Sequence, residues 1–223
     1  MADKIRVLVW SEHTAPRDMY PNDINGAVAD GLRKDDRLEV SIAEYVDPDQ
    51  GVSEETLAQT DVLAWWGHML HRQVTDETVD RIERHVKERG MGFLALHSSH
   101  MAKPFTRLIG DDGRIGGVKH DAGPEQIKVL APDHPIAKGI TDFAIDDEEM
   151  YDEEFGCGTP DTVVFHSTFP GGHEFRSGCA YQIGNGRVFY FRPGHEENPT
   201  YYRDDVQLIL NNAVHWAAPS KGE

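Results

Sequence analysis

Three observations predict an α/β fold of three α/β/α layers around a mainly parallel sheet. Short apolar runs recur as I-R-V-L-V-W (residues 5–10), L-E-V-S-I-A-E-Y (38–45), D-V-L-A-W-W (61–66) and G-F-L-A-L (92–96). Segments with helical patterning separate them, and strands alternating with helices imply parallel pairing with helices on both faces of the sheet. No linker, repeat or low-complexity tract divides residues 1–223, so one domain is expected.

The first strand leads into a turn-rich stretch from Ser11 and then a weak helix over 24–33. Ile24, Ala27, Val28 and Leu32 share one face of that helix. After the second strand, a short helix at 53–59 leads to the third. The next helix has the strongest signals. Thr75 is its cap, Asp76 and Glu77 complement its N-terminal dipole, and Val79, Ile82 and Val86 form its buried stripe. Gly90 is placed to end it in the left-handed conformation. The fourth strand follows at once. The second half is richer in strands, near 126–130, 162–166, 179–183 and 187–191, with Gly184-Asn185-Gly186 as a hairpin turn between the last two. A closing helix over 204–216 turns Val206, Ile209, Leu210, Ala213 and Val214 inward.

Composition narrows the function. A hydrophobic fraction of 39% with four Trp supplies a sizeable core. A net charge of −17 excludes a nucleic-acid partner, whose phosphates need a basic surface. The absence of an 18-residue apolar run and of a secretory signal excludes a membrane partner and points to a cytoplasmic location. Cys157 and Cys179 form no metal-binding pair in sequence and read as buried, reduced thiols. Arg outnumbers Lys by 14 to 8 and Asp outnumbers Glu by 22 to 17, a bias that suits a host with high internal salt. The melting temperature is then expected to rise between low and molar salt. A flat profile would remove that reading.

Ligands of open parallel sheets collect beyond the carboxyl ends of the strands. The residues there are Ser11, Glu12 and His13 after the first strand, His68 and His71 after the third, and His97, Ser98, Ser99, His100 and Lys103 after the fourth. Arg192, Gly194, His195 and Glu196 follow the last. His97 stands out. The frame Ala95-Leu96-His97-Ser98-Ser99 places it at the tip of a strand-to-helix turn with small residues two places either side, where acyl-transfer enzymes carry Ser or Cys. Imidazole there fits acid/base work or metal ligation. His97 and His100, three apart, converge on one divalent ion such as zinc or manganese, completed by His195 or a carboxylate. A nucleophilic Ser98 or Ser99 is disfavoured, since both sit beside the tip. His68 has an equally good reading as a strand-end cap. His71 reads as a solvated turn residue, His85 and His215 as structural, His134 as turn chemistry, and His173 as part of a Gly-rich loop.

The stretch I-D-D-E-E-M-Y-D-E-E-F packs seven carboxylates into residues 146–154. Such a run is ordinarily solvated. Met150, Tyr151 and Phe155 within it argue that part turns inward and carries Glu149 toward the strand ends. Arg176 and Arg192 each follow a Phe and are candidates for holding a polyhydroxy or anionic ligand.

Together, D-V-L-A-W-W-G-H-M-L-H, G-F-L-A-L-H-S-S-H-M-A-K, E-M-Y-D-E-E-F, F-R-S-G-C and F-Y-F-R-P-G-H-E resemble the ThuA-like proteins of trehalose utilisation. The resemblance implies a flavodoxin-like fold of the class I glutamine amidotransferase type without its catalytic Cys, and not a glutamine amidotransferase. It favours Glu12, His68, His97, His100, Lys103, Glu149, Tyr151, Arg176, Arg192 and His195 as the pocket. His97, Glu149, Tyr151 and His195 are the expected catalytic groups, Glu12, His68, Lys103, Arg176 and Arg192 the substrate-binding ones, and His97, His100 and His195 the metal ligands. His13 stands where the family has Tyr or Phe, and Met101-Ala102 where it often has Phe-Ser, which alters the pocket's shape. The implied partner is a small carbohydrate, a disaccharide or its keto derivative, with no nucleotide cofactor and with pairing into a homo-oligomer. A non-catalytic sugar-binding or regulatory module on the same fold is the alternative.

Overall fold

Strand alternation decides how the layers form. In the computed structural model, which describes residues 4–219, strands β1 (Ile5–Ser11), β3 (Val62–Trp66) and β4 (Gly92–Leu96) are buried along nearly their whole length. Successive side chains of a strand point to opposite faces, so each feeds two cores. Val7, Val9, Leu94 and Leu96 pack with helices α1 (Asp23–Leu32) and α5 (Asp204–Ala217). Leu8, Trp10, Phe93 and Ala95 pack on the other face, with α3 (Asp76–Lys87) and α4 (Lys103–Ile109). The Trp10 and Trp65 rings stack in this second core at 3.5 Å.

With β2 (Leu38–Glu44), β6 (Glu125–Val129), β7 (Phe143–Ile145), β9 (Thr162–Thr168), β10 (Glu174–Ile183) and β11 (Gly186–Phe191), the sheet runs β2-β1-β3-β4-β11-β10-β9-β6-β7 among the described residues. The five strands from β2 to β11 pair in parallel, and from β10 to β7 the pairing is antiparallel. The mainly parallel α/β/α architecture is therefore as expected, with an antiparallel extension supplied by the strand-rich second half. A second, two-stranded sheet joins β5 (Gly117–Lys119) to β8 (Met150–Asp152). It lifts the end of the acidic run over the mouth of the parallel strands.

The local signals behave as chemistry requires. Thr75 Oγ1 accepts from Thr78 N–H at 3.2 Å at the start of α3, and Gly90 takes the left-handed conformation beyond its end. Gly184 and Asn185 form the two-residue hairpin turn between β10 and β11. A short helix α2 (Glu54–Ala58) is capped by Ser53. Besides short 3-10 turns, one α-helix and three strands among the described residues go beyond the sequence reading: α4 and the three-residue strands β5, β7 and β8. Strand β10 also begins at Glu174 rather than 179, through two register shifts against β9. Both cysteines are buried and free. No helix among the described residues is long and apolar enough to cross a membrane.

Candidate active site

The carboxyl ends of β1, β3, β4 and β11 converge where the turn 97–101 leaves β4. His97 sits there fully buried with φ +49, the left-handed conformation that a sharp strand-to-helix turn imposes on its tip residue. Its Nδ1 pairs with the Arg192 carbonyl oxygen at 2.8 Å, so this nitrogen carries a proton and Nε2 points the other way, toward Glu149. Nε2 meets Glu149 Oε2 at 3.1 Å and the Tyr151 hydroxyl at 3.3 Å. Burial pushes the imidazole down, but the Glu149 carboxylate outweighs it and holds His97 above its ordinary value. Burial likewise pushes Glu149 up, and His97 first of all, then His195 and His120, brings it down to about 2. The two form a buried imidazolium–carboxylate pair.

More imidazoles surround that carboxylate. His120 Nε2 lies 3.4 Å and His195 Nε2 3.8 Å from Glu149 Oε1. On the other side, Ser98 Oγ bridges the Tyr151 hydroxyl at 3.3 Å and His68 Nδ1 at 2.8 Å, and His68 Nε2 meets Glu196 at 3.1 Å. A continuous run of polar contacts thus joins Glu149, His97, Tyr151, Ser98, His68 and Glu196. Burial keeps His68 below its ordinary value. Burial and then the Glu149 charge raise the Tyr151 hydroxyl well above its ordinary value, so it is a proton donor throughout the neutral range. A cavity of about 170 Å³ opens onto this group, lined by His120, Asp147, Glu149, His195, Glu197 and Asn198. Larger hollows, of about 410 Å³ beside Ser41 and Gln59 and about 640 Å³ beside Lys34 and Asn211, are lined by no histidine, and one of about 420 Å³ beside Arg187 and Trp216 has His215, which is bound to Asp35.

The acidic run supplies the scaffold. Asp146 and Asp147 are exposed, whereas Glu148 and Glu149 are buried. The Glu148 carboxylate accepts from the backbone N–H of Gly194 at 3.0 Å and of His195 at 3.1 Å, and from the Thr200 hydroxyl at 2.7 Å. It therefore ties the loop carrying His195 to the segment carrying Glu149. Gly194, at φ +128, has no room for a Cβ against the Tyr201 hydroxyl. Glu12 lies at the edge of the site, its Oε2 accepting from Met69 N–H at 2.6 Å and its Oε1 buried without a partner. Burial holds its carboxyl above the ordinary value.

Of the expected pocket residues, His97, Glu149, Tyr151, His195 and His68 come together, with Glu12 beside them. Four have their polar groups taken up elsewhere, although Arg192 and His100 pack against the Tyr151 ring. Lys103 Nζ donates to the Val74 carbonyl at 2.7 Å and to Asp76 at 3.1 Å. Arg176 is taken up by Glu153, at 2.9 Å through both Nε and Nη2, and by the Phe155 carbonyl. Arg192 is fully buried on Glu125 and the Glu149 carbonyl. Each guanidinium found a carboxylate distant in sequence, and charge-assisted pairing outcompetes an open pocket. His100 is not grouped with His97 and His195 either. Its Nδ1 is bound to the Gly113 carbonyl at 2.6 Å, its ring stands edge-on to Tyr151 at 5.0 Å, and burial brings it down to about 4. A neutral His100 backs Tyr151.

Other assignments are corrected as well. His71 is not solvated: it is half-buried with a partnerless Nδ1, and burial holds it at about 4. His13 pairs with Glu44 at 2.8 Å, and Met101 is exposed. Ser99 bridges Gly67 N–H and the Trp65 carbonyl, at 2.8 and 3.0 Å, as a structural link. His120 has no signal in the sequence. It arrives through the pairing of β5 with β8, in which Val118 faces Tyr151.

A class I glutamine amidotransferase-like α/β fold with histidine at the nucleophile's address is the class these features define. The chain belongs to the ThuA family, described as trehalose utilisation, which matches residues 6–217. A ThuA-like protein from Parabacteroides merdae ATCC 43184 has a similar structure, with 17% identity and TM-score 0.73, over 99% of this chain and 93% of that one. Another, from Bacteroides uniformis ATCC 8492, has 15% identity and TM-score 0.72, over 97% and 92%. A glutamine amidotransferase from Thermotoga maritima follows the same fold at 12% identity and TM-score 0.59, over 95% and 97%. Among curated proteins, none matches the chain.

Proposed function

We propose that the chain is an intracellular enzyme of trehalose or related disaccharide utilisation, acting by acid/base chemistry on the sugar or its keto derivative. The observation that carries this reading is the buried His97–Glu149 pair with the Tyr151 hydroxyl beside it, at the mouth of the parallel strands. His97 Nε2–H and the Tyr151 hydroxyl donate to a sugar oxygen. With a keto sugar, the carbonyl oxygen takes the His97 proton while a neighbouring C–H breaks, its electron pair forming the enol double bond. Glu149 takes that proton. A carboxylate held at about 2 is a poor base, but it is held there largely by the His97 charge. As His97 discharges, Glu149 gains basicity at the moment it is needed.

The ligand class follows from the charges. The expected cations Lys103, Arg176 and Arg192 are turned away, and the cavity is walled by carboxylates and imidazoles. That wall repels a phosphorylated sugar and suits a neutral polyol, whose hydroxyls donate to carboxylates. Incubation with trehalose, its keto derivative and the 6-phosphate, followed by carbon NMR, tests this. Conversion of a neutral sugar with the phosphate ester inert is the expected result. Saturable binding with no conversion of any of them would favour the sugar-binding module instead.

In metal-free protein the pair also sets a pH window. His97 is raised, so its share of stability is complete below the ordinary 6.5 and is lost as pH rises through the raised value. Glu149 is lowered, so its share is complete above 4.5 and lost as pH falls through about 2. Both shares are present between 4.5 and 6.5. The groups facing His97 are Glu149, Glu148, Arg192, Tyr151 and His195, and of these the Glu149 carboxylate and the Tyr151 hydroxyl contact Nε2. Glu149→Gln is therefore expected to move the His97 titration, followed by imidazole NMR in chelator, to lower pH. An unmoved titration contradicts the pairing.

A further inference from the structure

We infer that His97, His195 and Glu196 form a site for one divalent transition-metal ion, with its open side toward Glu149 and the cavity. This deepens the acid/base reading and rests on the same pocket. The ion would occupy the position of the His97 Nε2 proton and polarise the same sugar oxygen.

The ligand atoms of the three residues all lie within 4.8 Å of one another. His195 Nε2 and Glu196 Oε2 are 3.7 Å apart, close to the roughly 3.3 Å expected between tetrahedral ligands at about 2.0–2.1 Å from zinc. Two further observations point to a cation. Glu196 Oε2 is buried without a hydrogen-bond partner, while its other oxygen is held by His68 at 3.1 Å. A buried carboxylate oxygen left bare is costly unless something positive meets it. His97 is already presented as a metal-bound histidine is, with Nδ1–H on a backbone carbonyl and Nε2 inward.

His195 must adjust. Its Nδ1 accepts a 3.3 Å contact from Glu197 N–H, which gives way when the ring donates Nε2 to an ion. Two imidazoles and one carboxylate with an open position suit zinc, manganese or ferrous iron rather than calcium or magnesium, which prefer all-oxygen shells. A second grouping, His120, His195 and Glu197, also brings ligand atoms within 4.8 Å, but two of its members are exposed, so any ion there stays largely hydrated.

The test uses the full chain without a histidine tag, stripped with chelator and titrated calorimetrically with zinc and with manganese. Elemental mass spectrometry reads the stoichiometry. One ion per chain is expected, with affinity falling at least 100-fold in His195→Ala and in Glu196→Gln and unchanged in His100→Gln. Circular dichroism checks that each variant is folded. No stoichiometric ion in the wild type overturns the site, as does full affinity in both ligand variants. If the ion binds but no sugar is converted, the metal site stands and the enzyme reading falls. If stripped protein converts sugar at the full rate, the enzyme reading stands and the ion's part in polarising the sugar oxygen falls.

Discussion

His97→Asn is expected to lose between about 10²- and 10⁴-fold of sugar turnover, the usual worth of a positioned acid or base, while remaining folded. Asparagine is the informative replacement because position 97 has φ +49, a conformation that Asn tolerates better than most residues. Alanine would add backbone strain to the loss of the imidazole and confuse the two. Glu149 loses its closest partner but keeps His195 and His120 within 4 Å. The stability cost should therefore stay near the roughly 1–3 kcal/mol of one unsatisfied buried group. Turnover measured beside a thermal melt separates the effects. Undiminished turnover would remove His97 from the chemistry.

The largest stability effect is expected at Arg192. Its guanidinium and the Glu125 carboxylate are both fully buried and in contact, and the Ser167 hydroxyl donates to the same carboxylate. Burial raises Glu125 to about 7 even with the arginine present. Arg192→Met strands that carboxylate and also removes the bond to the Glu149 carbonyl. A buried pair broken on one side costs about 3–5 kcal/mol, or a fall of roughly 6–20 °C in melting temperature at about 2–4 °C per kcal/mol. The double variant Arg192→Met/Glu125→Gln should recover part of the loss, because no charge is then left without a partner. A loss below about 1 kcal/mol in the single variant would contradict the assignment of Arg192 to the structure rather than to the ligand.

That pair also shows where the sequence stops being legible. His97 is readable because its address is local: an apolar strand, a turn and small residues at fixed offsets. The helix α3 is readable for the same reason, since cap, stripe and terminating glycine lie within one segment. The fates of Arg176 and Arg192 depend on Glu153 and Glu125, which lie 23 and 67 positions away. Nothing near either arginine says which carboxylate takes it. His120 is hidden for a similar reason, because three-residue strands such as β5 and β8 carry no period of their own and form only through each other. Helix α4, seven residues long, has too few apolar positions to show a stripe, although Pro104 in its first turn is a start signal. The acidic run is a mixed case. Met150, Tyr151 and Phe155 disclose that it turns inward, but not that Glu148 would be the residue fastening the His195 loop.

The most direct measurement is carbon NMR of trehalose and its keto derivative incubated with wild-type protein, with zinc or manganese supplied, beside His97→Asn. The expected result is conversion by the wild type and conversion at least about 100-fold slower by the variant, which still binds the sugar. Wild-type protein that leaves every sugar of the panel unchanged, with the metal present, would contradict the account.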